Sequence, residues 1–173
     1  MKTWHEKAPK YFSQFENLIE ENYPDFRILN KNNIIYVKGR LLLKSQENKS
    51  KAGYNIEIEI PNNYPKSIPK IRELNGAIKK VPRQHFNRDG TACLFVKDEA
   101  FKYLNNKLTI IDFINGPVKD FFISQHYFSL TGKWIYGERG HGDKGIIEFY
   151  KEEIGTEDKN VIIKLWGYAL DTT

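Results

Sequence analysis

Cysteine and methionine each occur once in this 173-residue chain, and a single cysteine excludes an internal disulfide. No Cys/His group has the spacing of a structural zinc site, so no metal is expected, and nothing in the sequence calls for a cofactor. Long apolar runs are missing as well. None approaches the roughly 20 residues that a membrane span needs, and residues 1–7 lack the apolar core of a signal peptide. The expected setting is therefore cytoplasmic, without a membrane partner. Internal repeats and low-complexity linkers are absent. Charge of one sign is scarce in excess: 27 Lys and Arg against 22 Asp and Glu leave a formal +5. That surplus is spread along the chain, not gathered into a basic tail, so nucleic acid is not an expected partner. The length suits one well-cored domain and is short for two, so a single domain over 1–173 is expected.

Proline and hydrophobic periodicity divide up the rest. Pro9 suits a first helical turn, and Tyr11, Phe12, Phe15, Leu18 and Ile19 follow at three- and four-residue spacing until Pro24 stops the helix. Glu16, Glu20 and Glu21 fall between them, giving one buried and one solvated face. Residues 26–30 and 34–43 read as strands around a polar turn at 30–33. Residues 45–51 have no apolar side chain beyond turn composition and read as a hairpin loop into a strand that alternates apolar and charged residues up to Ile60. Pro61, Pro65 and Pro69 rule out a helix between that strand and a short one at 70–74. A helix followed by three or four antiparallel strands predicts an α+β meander. Residues 108–122 carry a second helical pattern, interrupted at Gly116-Pro117. A Gly-rich loop over 134–142, a helix over 144–153 and a strand or buried extended segment over 160–166 complete the chain.

The one cysteine, Cys93, lies just after the turn-forming pair Asp89-Gly90 and eight positions beyond His85. A single thiol in such a loop is a candidate nucleophile. The alternative is an inert cysteine packed as a small hydrophobe.

The order of motifs, Tyr64-Pro65 with Pro69, then His85 and Asn87, then Gly90, Cys93 and Leu94, then the helix from Leu108, resembles the ubiquitin-conjugating enzymes over roughly three quarters of the chain. The resemblance implies a fold with an N-terminal helix, a four-stranded antiparallel meander, an active-site cysteine loop and C-terminal helices. Phe86 stands where eukaryotic members have a proline, and the interval to the cysteine is shorter. The tail residues Trp134, Gly137, Glu138, His141, Gly142, Gly145, Ile146, Glu148, Phe149 and Tyr150 are similar to prokaryotic members encoded in antiphage operons beside a cGAS-like nucleotidyltransferase. With no adenylation motif, the chain resembles the stand-alone type.

By this resemblance Cys93 would carry the C-terminus of a cGAS-like nucleotidyltransferase as a thioester and pass it to a lysine amine of an acceptor protein. Asn87 would donate to the tetrahedral oxyanion or tie its own turn, two roles that can coexist. His85 is implied as a structural histidine of the loop more than a base. His141 would deprotonate the amine or position the donor tail, or be an exposed turn histidine. Asp98 and Asp112 are candidates for orienting the acceptor lysine, Asp112 also for satisfying a helix start. Lys79, Lys80, Arg83 and Arg88 either form a solvated loop or lower the thiol pKa. Tyr64, Pro65, Pro69, Trp134 and Tyr136 are assigned to structure. Two rival readings are a non-catalytic binding module of the same fold and a Cys-His hydrolase using Cys93 and His141.

Overall fold

The computed structural model describes residues 2–44, 51–96, 99–100, 109–135, 140, 143–158 and 160–161. Two helices open the chain, a single turn α1 (Trp4–Lys7) and α2 (Pro9–Asn22), with Pro9 at the expected first turn. The sequence reading passed over α1. It is anchored by Trp4, a buried ring with the rings of Phe12, Phe15 and Tyr64 arranged edge-on at 5.5, 5.5 and 5.2 Å. Such edge contacts suit the ring quadrupoles, so Tyr64, expected to be structural, is the far wall of this cluster.

Four strands follow in the order β1-β2-β3-β4: Arg27–Lys31, Ile34–Lys44, Lys51–Ile60 and Lys70–Glu73, all antiparallel neighbours. The meander is thus four-stranded, and the molecule is α+β. Lys31 pairs with Ile34, which leaves Asn32 and Asn33 alone in the turn with φ of 52° and 63°. Two left-handed residues make the mirror-image turn whose twist matches that of the strands, and Asn tolerates this conformation better than most residues.

Alternation sorts the faces. Ile35, Val37, Leu41 and Leu43 of β2 point inward with Tyr54, Ile56, Ile58 and Ile60 of β3 and Ile71 of β4, all buried. Each such aliphatic side chain withdrawn from water contributes about 1.5–3 kcal/mol. Outward, Lys38, Glu57 and Arg72 stand opposite one another across three strands, with Lys38 2.5 Å from Glu57 and Arg72 2.7 Å from Glu59. Glu73 follows the inward parity of Ile71. Its carboxylate is buried, with one oxygen accepting from the Asn75 N–H at 2.8 Å and the other without a hydrogen-bond partner among the described residues.

The inner face is covered by one long interrupted helix. The first part, α3 (Ile110–Phe113), starts at Thr109, whose hydroxyl accepts from the Asp112 N–H while Asp112 accepts from the Thr109 N–H at 2.7 Å. This reciprocal cap is the helix-start role foreseen for Asp112. A wider π turn over Ile114–Val118 follows, with Gly116 out of helical geometry at ψ −105°. Pro117 has no N–H to continue the ladder, and the break lies where Gly116-Pro117 predicts it. The helix resumes as α4 (Lys119–Thr131), nine residues past the expected end at Phe122. Phe122 meets the Tyr54 ring at 4.8 Å, joining helix to sheet.

The last described helix is α5 (Asp143–Ile154), close to the expected 144–153. Asn160 and Val161, expected to begin a strand, are helical instead. Residues 162–166, the hairpin loop at 45–50, Asp98, Leu108, Tyr136 and His141 lie outside the described residues. No described helix is long and apolar enough to cross a membrane.

Candidate functional site

The chain reaches Cys93 through a small hairpin closed by backbone hydrogen bonds. Val81 leads into a 3-10 turn, Pro82–Gln84, and His85 follows with φ 55°, left-handed, which swings the chain back. The Cys93 N–H donates to the His85 carbonyl at 2.8 Å, Phe86 and Ala92 form a β-bridge, and the Asn87 N–H donates to the Thr91 carbonyl at 2.8 Å. Gly90 supplies the positive φ, 76°, that the tip requires. The eight-residue interval from His85 to Cys93 is therefore the length of one tight hairpin.

Side chains lock the tip. Thr91, buried, donates its hydroxyl to Asp89 Oδ1 at 2.6 Å, and its N–H reaches the same oxygen at 3.1 Å. These two donors hold the Asp89 carboxyl below the usual carboxylate range. Thr91 Oγ1 in turn accepts from the Asn87 side-chain amide at 3.0 Å. Asn87 therefore fills the turn-tying one of its two expected roles. Beneath the hairpin, the Ala92 N–H donates to the Ile71 carbonyl of β4 at 2.8 Å, and Phe86 packs edge-on against Phe121 of α4 at 5.5 Å. From α4, Gln125 also donates to the Gln84 carbonyl at 2.7 Å.

Each expected site residue can now be placed. Cys93 is half-buried, and its Sγ points to the Phe95 carbonyl at 3.7 Å. Burial pushes its thiol pKa up, and no charged group among the described residues acts to bring it down. Lys79, Lys80, Arg83 and Arg88 do not offset that burial. The His85 ring sits edge-on to Trp134 at 4.7 Å, and Trp134 stacks on Phe128 of α4 at 4.3 Å. That packing seats the His85 ring beside the last turns of α4. Asp112 is engaged with Thr109 at the start of α3.

Cys93 opens onto a shallow groove of about 790 Å³. The hairpin supplies one wall through Asn87, Asp89 and Cys93, and the Pro-rich segment before β4 supplies the other through Lys66 and Ile68, continued by Lys70 at the start of β4. That segment turns sharply, with the Tyr64 N–H donating to the Pro61 carbonyl at 3.0 Å and a cis Tyr64-Pro65 bond. Sequence reasoning assigned this stretch to structure alone and missed its second role as a groove wall. Its three prolines, which deny the segment a helix, were the available signal. Among the described residues no group of three His, Cys, Asp or Glu side chains gathers as a metal site.

No family model matches the chain, and no curated protein matches it. Among solved structures, the yeast Vps23 UEV domain in complex with a Vps27 PSDP peptide is similar at a TM-score of 0.45, with 8% identity over 66% of this chain and 80% of that one. A complex of the Vps23 UEV with ubiquitin is similar at a TM-score of 0.42, with 10% identity over 65% of this chain and 80% of that one.

Proposed function

We propose that the chain is a protein-binding module of ubiquitin-conjugating-like fold, holding the extended tail of a partner protein in the groove beside Cys93 without bonding to it. The observation that carries this reading is the state of the sulfur: burial holds it as a neutral thiol that donates to the Phe95 carbonyl. A neutral thiol is a poor nucleophile. The test is anisotropy with a fluorescein-labelled C-terminal tail peptide of ubiquitin or of a cGAS-like nucleotidyltransferase. Cys93→Ser should bind as wild type does, while Ile68→Asp, in the opposite wall, should weaken binding at least about ten-fold by setting an uncompensated charge against the peptide. A reducible adduct between wild type and a tail supplied as a thioester overturns the reading.

One observation favours a second reading, acyl transfer. The sulfur is not sealed in but faces the groove that would receive a tail. In that case an activating protein supplies a cGAS-like nucleotidyltransferase, in an antiphage setting, as a thioester. The Cys93 sulfur bonds to the terminal carbonyl carbon as the donor's C–S bond breaks and the donor thiol leaves. A lysine amine of an acceptor protein then attacks that carbon, gives up a proton to solvent or to a base, and the Cys93 thiolate departs. A Cys93→Lys variant trapping the tail as a stable amide, read by mass spectrometry, would establish it; an unmodified variant beside an unmodified wild type would dispose of it.

A further inference from the structure

The groove beside Cys93 changes character along its length. Its apolar lining is Leu94 and Phe95, which directly follow the cysteine, with Ile68 in the facing wall, all half-buried. Three residues of hairpin strand, roughly 10 Å of chain, separate Cys93 from Gly90 at the tip, and there the lining is charged. Among the described residues the charged groups are Lys66, Lys70 and Arg88 against Asp89. The Asp89 charge is already answered. Its Oδ1 accepts from the Thr91 hydroxyl and N–H, and its Oδ2 lies 3.8 Å from the ammonium of Lys70, which stands on the outer face of β4 with Arg72.

Cations around the tip are not answered in the same way. Lys66, Lys80 and Arg88 are exposed, and their side chains make no ion pair and no hydrogen bond among the described residues. Arg88 stands in the turn beside Asp89. The stem of Lys80, from the segment leading into the hairpin, passes the same tip, since a Cβ on Gly90 would lie 3.7 Å from Lys80 Cδ. Lys70 and Asp89 balance each other, so the tip carries the surplus of Lys80 and Arg88, with Lys66 on the facing wall. Like charges held near one another repel, and an anion placed among them relieves that repulsion.

Resting on the reading that the groove holds a partner's tail, we propose that this tail is acidic: its last residues lie against Leu94, Phe95 and Ile68 beside Cys93, and Asp or Glu side chains about three residues upstream meet Lys80 and Arg88 at the hairpin tip. Charge complementarity selects the sign, because the one carboxylate lining the groove among the described residues is engaged from both sides. The separation of the two linings selects the order within the tail, apolar or small residues at its end and acids before them. A tail with lysine or arginine at that distance meets like charge and is disfavoured. The hairpin tip is thus the specificity-determining end of the groove, and Cys93 is the end that all tails share.

The probes are three peptides with fluorescein at the N-terminus and a free C-terminus: Gly-Glu-Asp-Glu-Ser-Gly-Leu-Gly, its neutral counterpart Gly-Gln-Asn-Gln-Ser-Gly-Leu-Gly, and Gly-Lys-Arg-Lys-Ser-Gly-Leu-Gly. By anisotropy the acidic peptide should bind about five-fold or more tightly than the neutral one, and the basic one more weakly than either. Arg88→Ala and Lys80→Ala should each weaken the acidic peptide by about two- to five-fold and leave the neutral one unchanged. Both side chains are exposed and make no hydrogen bond among the described residues, so the hairpin survives their loss. Lys31→Ala, which removes the same charge from β1 at the far edge of the sheet, should change nothing. The acidic advantage should shrink as NaCl rises from about 50 mM to about 500 mM. A neutral peptide that binds as tightly as the acidic one, a Lys31→Ala loss equal to that of Arg88→Ala, or an oligonucleotide of equal charge that competes as well as the acidic peptide overturns the acidic preference and leaves the tail-holding reading standing. No binding by any of the three peptides at millimolar concentration overturns both.

Discussion

Gly39, in the middle of β2, offers the sharpest test of how the core is assembled. A Cβ at this position would lie 2.1 Å from Phe26 Cδ1, 2.6 Å from Cγ and 2.7 Å from Cε1. Non-bonded carbons settle at about 3.5–4.0 Å, so the ring must retreat by about 1.5 Å. Phe26 is only 5% exposed and is backed by Tyr23 at 4.8 Å, leaving little room to move. Overpacking of this kind costs about 1–3 kcal/mol, partly offset by the roughly 0.5–1 kcal/mol that alanine gains over glycine in the unfolded chain. Gly39→Ala should therefore destabilise by about 1–2 kcal/mol. Phe26→Ala should cost about 3–5 kcal/mol, the usual range for a lost buried ring. In the double variant the methyl occupies vacated space, so it should be more stable than the sum of the two single losses by about 1–3 kcal/mol. Urea unfolding of the four proteins measures the cycle. An unchanged midpoint for Gly39→Ala, or strict additivity, refutes the claim that the ring is seated on the glycine.

Thr109→Ala removes the reciprocal cap of α3 and should cost about 1 kcal/mol in chemical unfolding. The Asp112 carboxyl is held below its ordinary pKa by the Thr109 N–H and hydroxyl, so its contribution is present above the unfolded carboxylate pKa and is lost as pH falls through the lowered folded value; an acid titration should show this decline in wild type and not in Asp112→Asn. For Cys93, whose folded pKa is raised by burial, iodoacetamide alkylation should be slower in the native protein than in urea at pH 8, and the native rate should go on rising with pH after the unfolded rate has levelled; a native thiol faster than the unfolded one contradicts the neutral-thiol assignment. Gly145→Ala would set a Cβ 2.0 Å from the Gly140 carbonyl oxygen, a backbone atom that cannot swing aside, so hydrogen exchange at Gly140, whose N–H donates to Glu148 at 2.6 Å, should quicken.

The legible parts of this chain were those set by neighbours in sequence. The helix from Pro9, the alternating strands and the break at Gly116-Pro117 follow from periodicity and proline, which act within a few residues. Less legible were features that depend on distant partners. Phe26 reads as the first residue of a strand, yet it precedes β1 and covers Gly39, a contact invisible to a local pattern. Trp4 sits in a stretch without periodicity and is placed by Tyr64, sixty residues away. Glu73 turns its carboxyl group inward because strand parity, not polarity, sets its direction. At the site, the hairpin tip was readable from Asp89-Gly90, but the engagement of Asn87 by Thr91 required knowing that both are folded back on one turn. The groove's second wall escaped notice because prolines read as punctuation do not announce what surface they form.

The thiol's position and its reactivity have different origins. Position comes from the sheet: Ala92 is hydrogen-bonded to Ile71 of β4, and Cys93 is hydrogen-bonded to His85, so both backbone sites are fixed before any partner arrives. The amides of Ala92 and Cys93 should accordingly exchange as slowly as those of β4; exchange at loop rates would detach the thiol from the sheet and remove the preformed groove. Reactivity is set by what surrounds the sulfur, and among the described residues burial dominates. A bound partner that only filled the groove would bury Cys93 further and raise its pKa again. For acyl transfer the partner must therefore bring a cation or a base to the sulfur, whereas for holding a tail it need bring nothing.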